Sequence, residues 1–171
     1  MAVLSTLISC GNPKPRKPIA HTGSVDMTQS IALNRKLSDH EAKLFASYMQ
    51  KDSTHHYINS HSGFWYAFIT RNKEATRMPV EGDIVNFTYD IKDINGKSIY
   101  TADELGDKTY IVDQQDIMKG IQEGIKLMKI HEKVIFLLPS QKAYAFHGDE
   151  KKIGNNTPLI VTVELNSIKT N

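Results

Sequence analysis

The stretch from Tyr110 to Pro139, YIVDQQDIMKGIQEGIKLMKIHEKVIFLLP, leaves the chain few options. Its apolar residues Ile117, Met118, Ile121, Ile125 and Met128 follow one another at spacings of one, three, four and three, which gathers them on one face of a helix. The same spacings would scatter them over both faces of a strand. Asp113 or Asp116 stands where an N-cap is expected. Gly120 and Gly124 each weaken an isolated helix by about 1 kcal/mol relative to alanine, so their presence predicts close approach of another backbone. Val134 to Leu138 is then an unbroken apolar run closed by Pro139, the pattern of a central strand covered on both faces. A short helix therefore lies tight against a sheet that its own following strand helps to build.

Strand signals surround this unit. GFWYAFIT, from Gly63, carries large residues on both faces, and IVNFTYDIK, from Ile84, sets Val85, Phe87, Tyr89 and Ile91 opposite Asn86, Thr88 and Asp90. Asn95-Gly96 is a hairpin signal that returns the chain through Lys97 to Tyr100, and Asp103 to Lys108 reads as a polar loop. A longer loop, Ser140 to Thr157, precedes PLIVTVELNSI, in which Leu159, Val161, Val163 and Leu165 share a face. The sum is an α+β chain: an antiparallel half-barrel sheet of about five strands wrapped on one short helix, with an N-terminal tether and helix.

Ahead of this domain, assigned to residues 63–171, the texture differs. Leu7-Ile8-Ser9-Cys10-Gly11 resembles the lipobox of bacterial lipoproteins, in which the cysteine carries the acyl chains; no basic residue precedes it, so residues 1–10 read as a truncated or atypical lipoprotein signal. The alternative is an apolar tail without a role. Cys10 is the only cysteine, so no internal disulfide can form. Residues 11–36 read as a tether, with Pro13, Pro15 and Pro18 among basic residues. Ser38-Asp39-His40-Glu41 fits a capping box with Leu37 as its staple, which starts a helix running to about Lys51 inside a segment of residues 37–62. Leu44, Phe45, Tyr48 and Met49 share a face of that helix, which fits either docking on the domain or pairing with a second copy in a homodimer. His55, His56 and His61 have no acidic or cysteine partner at zinc spacing and read as surface histidines. A net charge of +2, from 21 basic and 19 acidic residues well mixed along the chain, gives no case for nucleic acid.

Four motifs in order carry a resemblance to the FKBP-type peptidyl-prolyl isomerases. GDIVNFTYDIKDINGK, IMKGIQEGIKLMK, PSQKAY and LIVTVEL are similar to that family's strand and hairpin, its glycine-bearing helix, its alanine-tyrosine loop and its last strand. The preceding lipobox, tether and helix are most similar to the gliding motility-associated lipoproteins among its members. The resemblance implies a half-cone of aromatic and aliphatic side chains that receives a proline ring, with no cofactor or metal. Tyr89, Tyr144 and Met118 would take the catalytic places, Met118 through its backbone N–H. Tyr100, Tyr110, Ile117, Ile121, Phe146 and Val161 would bind substrate. Cys10 would be the lipidation site.

The sequence departs from the family at several of these places. Tyr100 stands for an aspartate, Ile121 for a tryptophan, Val161 for an aromatic, Lys108 for a further aromatic, Ala145 for a glycine after the alanine-tyrosine pair, and His131 for a turn glycine. For Ile121 and Val161 a plain core role weighs as much as a pocket role. The implied function is isomerisation of proline-containing segments of exported or envelope proteins, including the gliding machinery, by a lipid-anchored, periplasm-facing protein. The alternative is a non-catalytic binding module or chaperone that keeps the fold with a degenerate pocket.

Overall fold

The computed structural model describes residues 23–170, with side chains from residue 27 onward. Along the chain the elements are α1 (Gly23–Lys51), β1 (Ile58–Asn59), β2 (Trp65–Thr70), β3 (Ile84–Lys92), β4 (Ser98–Tyr100), α2 (Ala102–Leu105), β5 (Lys108–Ile111), α3 (Lys119–Ile125), β6 (Lys133–Leu138) and β7 (Leu159–Lys169). Among the described residues seven antiparallel strands form one sheet, in the order β1-β2-β6-β7-β3-β4, with β5 also paired to β3. The chain divides after Asn34 into two units. The described part of the first is the opening half of α1, where Met27, Ile31 and Leu33 are exposed.

The α+β half-barrel is as expected, with two additions to the strand count: the two-residue β1 and the short β5. β6 lies between β2 and β7 and is covered on both faces. Val134, Phe136 and Leu138 face a core with Ile121, Ile125 and Met128. Ile135 and Leu137 face a second, smaller core with Ile160 and Phe45 of α1. The C-terminal half of α1 is thus docked on the back of the sheet, its Phe45 fully buried and 5.7 Å from the ring of Trp65. Tyr48 and Met49 pack beside it, so three of the four apolar residues on that helix face dock within the chain.

Three local expectations need correction. Ser38 is interior to α1, and Glu41 is buried instead of capping; no glycine or proline interrupts residues 24–51, so nothing stops the helix at the apparent box. Neither Asp113 nor Asp116 caps α3, which begins at Lys119 after Met118. Asp113 adopts a φ of 58° and its carboxylate accepts from Lys126 Nζ at 2.9 Å. The stretch Asp103 to Lys108, expected as a loop, instead completes the short α2, whose capping box pairs Thr101 with Glu104, and reaches the first residue of β5.

The glycines of α3 do mark a close approach, but of side chains and not of a backbone. A Cβ on Gly120 would lie 2.6 Å from Leu138 Cδ1, and one on Gly124 would lie 2.7 Å from Phe136 Cε1. Both partners are fully buried residues of β6. Glycine at these two places lets the helix sit directly on the strand.

Candidate active site

The seat of α3 on the sheet leaves a cavity of about 280 Å³ at its start, lined by Phe87, Tyr89, Lys108, Thr109, Tyr110, Ile117, Met118, Ile121 and Tyr144. Each wall follows from a local rule. Phe87 and Tyr89 share a face of β3 by strand alternation, and their rings stand 5.7 Å apart. Lys108, Thr109 and Tyr110 come from β5, paired to β3 with Val85 opposite Tyr110 and Phe87 opposite Lys108. Ile117 and Met118 precede α3, and Ile121 comes from its first turn. Tyr144 follows a 3₁₀ turn, Ser140–Lys142, that closes β6. The volume lies near the lower end of the range of about 300–1,000 Å³ typical of small-molecule pockets, so the site suits one small ring.

Burial sets the chemistry of its hydroxyls. It pushes the Tyr89 phenol upward and raises that of Tyr144 to about 12, with Tyr89, Asp149 and Tyr100 adding to the effect on Tyr144. Both phenols are therefore neutral O–H donors at pH 7. Tyr110 is fully buried, and its hydroxyl oxygen accepts the N–H of Asp113 at 2.9 Å, which fixes the turn leading to Met118. The carbonyl of Met118 accepts from Ile121 and Gln122, at 2.9 and 3.0 Å, as the helix begins.

Of the residues singled out in the sequence, Tyr89, Tyr110, Ile117, Met118, Ile121 and Tyr144 meet around this cavity. Ile121 is at once wall and core, with 2% exposure. Three others do not line it. Tyr100 turns to the neighbouring loop, where its hydroxyl donates to Asp149 Oδ2 at 2.5 Å and its ring lies 4.5 Å from Lys152 Nζ. Val161 is fully buried because it sits in β7 opposite both Ile91 and Phe136, where a central strand must be filled. Phe146 is 65% exposed and stacks edge-on against His147. Cys10 lies outside the described residues.

Phe87, which the sequence places on the same strand face as Tyr89 without a site role, is both core and cavity wall. Its position two residues before Tyr89 on one strand face was the available signal. Lys108 was marked only as a departure, yet it lines the cavity. The two substituted glycine positions keep their backbone conformation: His131 has a φ of 63° and Ala145 a φ of 50°. Among the histidines of the linker, His55 pairs through Nδ1 with Asp52 at 2.8 Å.

Fold and cavity together define an α+β protein whose site is a small aromatic and aliphatic notch with phenol hydroxyls, suited to an apolar ring flanked by amides. The chain belongs to the FKBP-type peptidyl-prolyl cis-trans isomerase family, whose profile matches residues 75–166, more than half of its length. It is 30% identical over 104 residues to a probable FKBP-type isomerase, FkpA, of Neisseria meningitidis serogroup B, a match covering 61% of this chain but 37% of that protein. It is 29% identical over 94 residues to FK506-binding protein 1B of Aspergillus fumigatus, covering 53% of this chain and 78% of that one. The fold is shared with the crystal structure of FkpA from Escherichia coli, at a TM-score of 0.63 and 23% identity over 86% of this chain and 68% of the other. A peptidyl-prolyl isomerase from Pseudomonas syringae pv. tomato gives the same TM-score of 0.63 at 18% identity, over 80% and 96% of the two chains.

Proposed function

We propose that this chain accelerates cis-trans isomerisation of X–proline bonds in exported or envelope proteins, with the proline ring seated in the notch between α3, β3 and β5. The observation that supports the reading is the lining: six of the side chains expected from the family resemblance converge on one cavity sized for a small ring. Rotation about the prolyl amide meets a barrier of about 18–20 kcal/mol because twisting destroys the partial double bond of C–N. The twisted amide has a less polarised carbonyl and is favoured over the planar one where water is excluded and aromatic walls replace it. No bond is made or broken. The phenols of Tyr89 and Tyr144 and the backbone N–H of Met118 have only to hold the flanking carbonyl groups while the rotation proceeds. A thousandfold acceleration needs about 4 kcal/mol of such preference for the twisted state.

The full chain is expected to speed cis-to-trans conversion of a proline tetrapeptide, and Tyr89→Ala to lower kcat/KM by about one to two decades, the loss of about 1–3 kcal/mol of pocket complementarity. A wild-type rate equal to buffer would remove the catalytic claim.

A second reading, a non-catalytic binding module, is favoured by Lys108, which lines the cavity where the family has an aromatic. It predicts capture of unfolded protein without isomerisation, and normal binding of a macrolide FKBP ligand would argue against it. We place the protein at the cell envelope, anchored through an acylated Cys10 and serving gliding motility as the similar lipoproteins do. Each buried methylene of such a chain contributes about 0.8 kcal/mol to anchoring. Mass spectrometry of native membranes, searching for acyl chains on Cys10, decides the matter of anchoring.

A further inference from the structure

Glu41 is 2% exposed, yet it belongs to α1 and lies outside the stretch that matches the family. Its Oε2 accepts the N–H of Ser140 at 3.2 Å, while its Oε1 and the Ser140 hydroxyl are both buried without a partner. Burying a carboxylate so sparsely bonded opposes folding, and an aliphatic residue on this face of α1 would avoid that cost. Apolar docking of the helix is supplied by Phe45, one turn on, with Tyr48 and Met49 packed beside it. A reason for the carboxylate is found in what Ser140 holds. The carbonyl of Ser140 accepts the N–H of Ala143 at 3.0 Å and of Ala145 at 2.7 Å, the two residues that flank Tyr144. On its other side the same turn is tied to α3 by Lys142 Nζ, 2.7 Å from Glu123 Oε1.

We infer that Glu41 is a positioning residue for the site: its carboxylate fixes Ser140, Ser140 fixes the Ala143–Ala145 bend, and the bend holds Tyr144 against the cavity. The N-terminal helix is then a working part of the pocket and not only a spacer. This rests on the reading of Tyr144 as a wall of the proline site, though the geometry it proposes can be measured without turnover.

The test uses the full chain in four forms: wild type, Glu41→Ala, Glu41→Gln, and Phe45→Leu as a variant that loosens α1 while keeping the carboxylate. Native-state hydrogen exchange is read at Ser140 and Ala145, with Val163 of β7 reporting global stability. In Glu41→Ala the Ser140 and Ala145 amides are expected to exchange about tenfold faster relative to Val163 than they do in Phe45→Leu. In the isomerase assay Glu41→Ala is expected to lower kcat/KM about tenfold, with Glu41→Gln, which keeps an acceptor oxygen, recovering most of the loss. Exchange at Ala145 that follows Val163 equally in Glu41→Ala and Phe45→Leu overturns the inference, because Glu41 would then act only through overall stability. If the wild type does not isomerise proline, the proposed function fails, and the exchange comparison still decides the role of Glu41.

Discussion

Gly124→Ala separates helix propensity from packing, because the two predict opposite signs. Propensity alone favours alanine by about 1 kcal/mol in a helix interior. Packing opposes it. The new Cβ would fall 2.7, 2.8 and 3.2 Å from Cε1, Cζ and Cδ1 of Phe136. Ordinary carbon contacts lie at about 3.5–4.0 Å, so the ring or the helix must give by about 0.8 Å. The ring has little freedom to move: Phe136 is fully buried, with Phe64 edge-on at 5.8 Å and Tyr66 at 6.4 Å. Overpacking of this kind costs about 1–3 kcal/mol, and a rigid aromatic edge belongs in the upper half of that range. Net destabilisation of about 1–2 kcal/mol follows, a fall of about 2–8 °C in Tm. Urea unfolding of the two proteins, monitored by circular dichroism, measures it. Phe136→Leu in the Gly124→Ala background should recover part of the loss, as expected for two residues in contact. A rise in stability on Gly124→Ala would refute the reasoning, since it would mean that α3 does not press on β6.

Phe45→Ala is expected to destabilise the chain by about 3–5 kcal/mol in urea titration, the usual cost of emptying a fully buried aromatic site; a change below about 1 kcal/mol would contradict docking of α1. Removing residues 1–56 should uncover Ile135, Leu137 and Ile160 and cause self-association, which light scattering would register; a monodisperse, folded monomer would contradict the second core. Tyr144, held near 12 against its usual 10, contributes stability that is complete below pH 10 and is lost as pH rises through 12. Alkaline unfolding should therefore begin within that window and be delayed in Tyr144→Phe, with absorbance at the phenolate band as the measurement; an unchanged onset would exclude this phenol as a cause.

How much of the site could be read without coordinates depended on how local each signal was. The family resemblance carried Tyr89, Ile117, Met118 and Ile121 to the site by matching positions; strand alternation and apolar spacing, which act over a few residues, set only the faces they share. Tyr100, Phe146 and Val161 were carried over by position as well. Position does not specify that Tyr100 finds a hydrogen-bond acceptor in Asp149, nor that Phe146 turns to solvent. The capping pattern of Ser38 and Glu41 misled for a related reason. The box at Thr101 and Glu104 has the same form and does cap a helix, so only the surrounding chain separates a start from an interior turn.

The sequence by itself determined the elements and their faces: the alternation of β3 and β7, the continuous apolar run of β6, the Asn95-Gly96 turn and the paired glycines of α3. These follow from periodicity and backbone sterics, which neighbouring residues settle among themselves. Only the tertiary structure decided which apolar groups became pocket and which became core, what covered the second face of β6, and why a carboxylate from α1 lies buried beside Ser140. Those outcomes depend on contacts between residues far apart in the chain, such as Glu41 with Ser140 and Tyr100 with Asp149, and no local spacing encodes them.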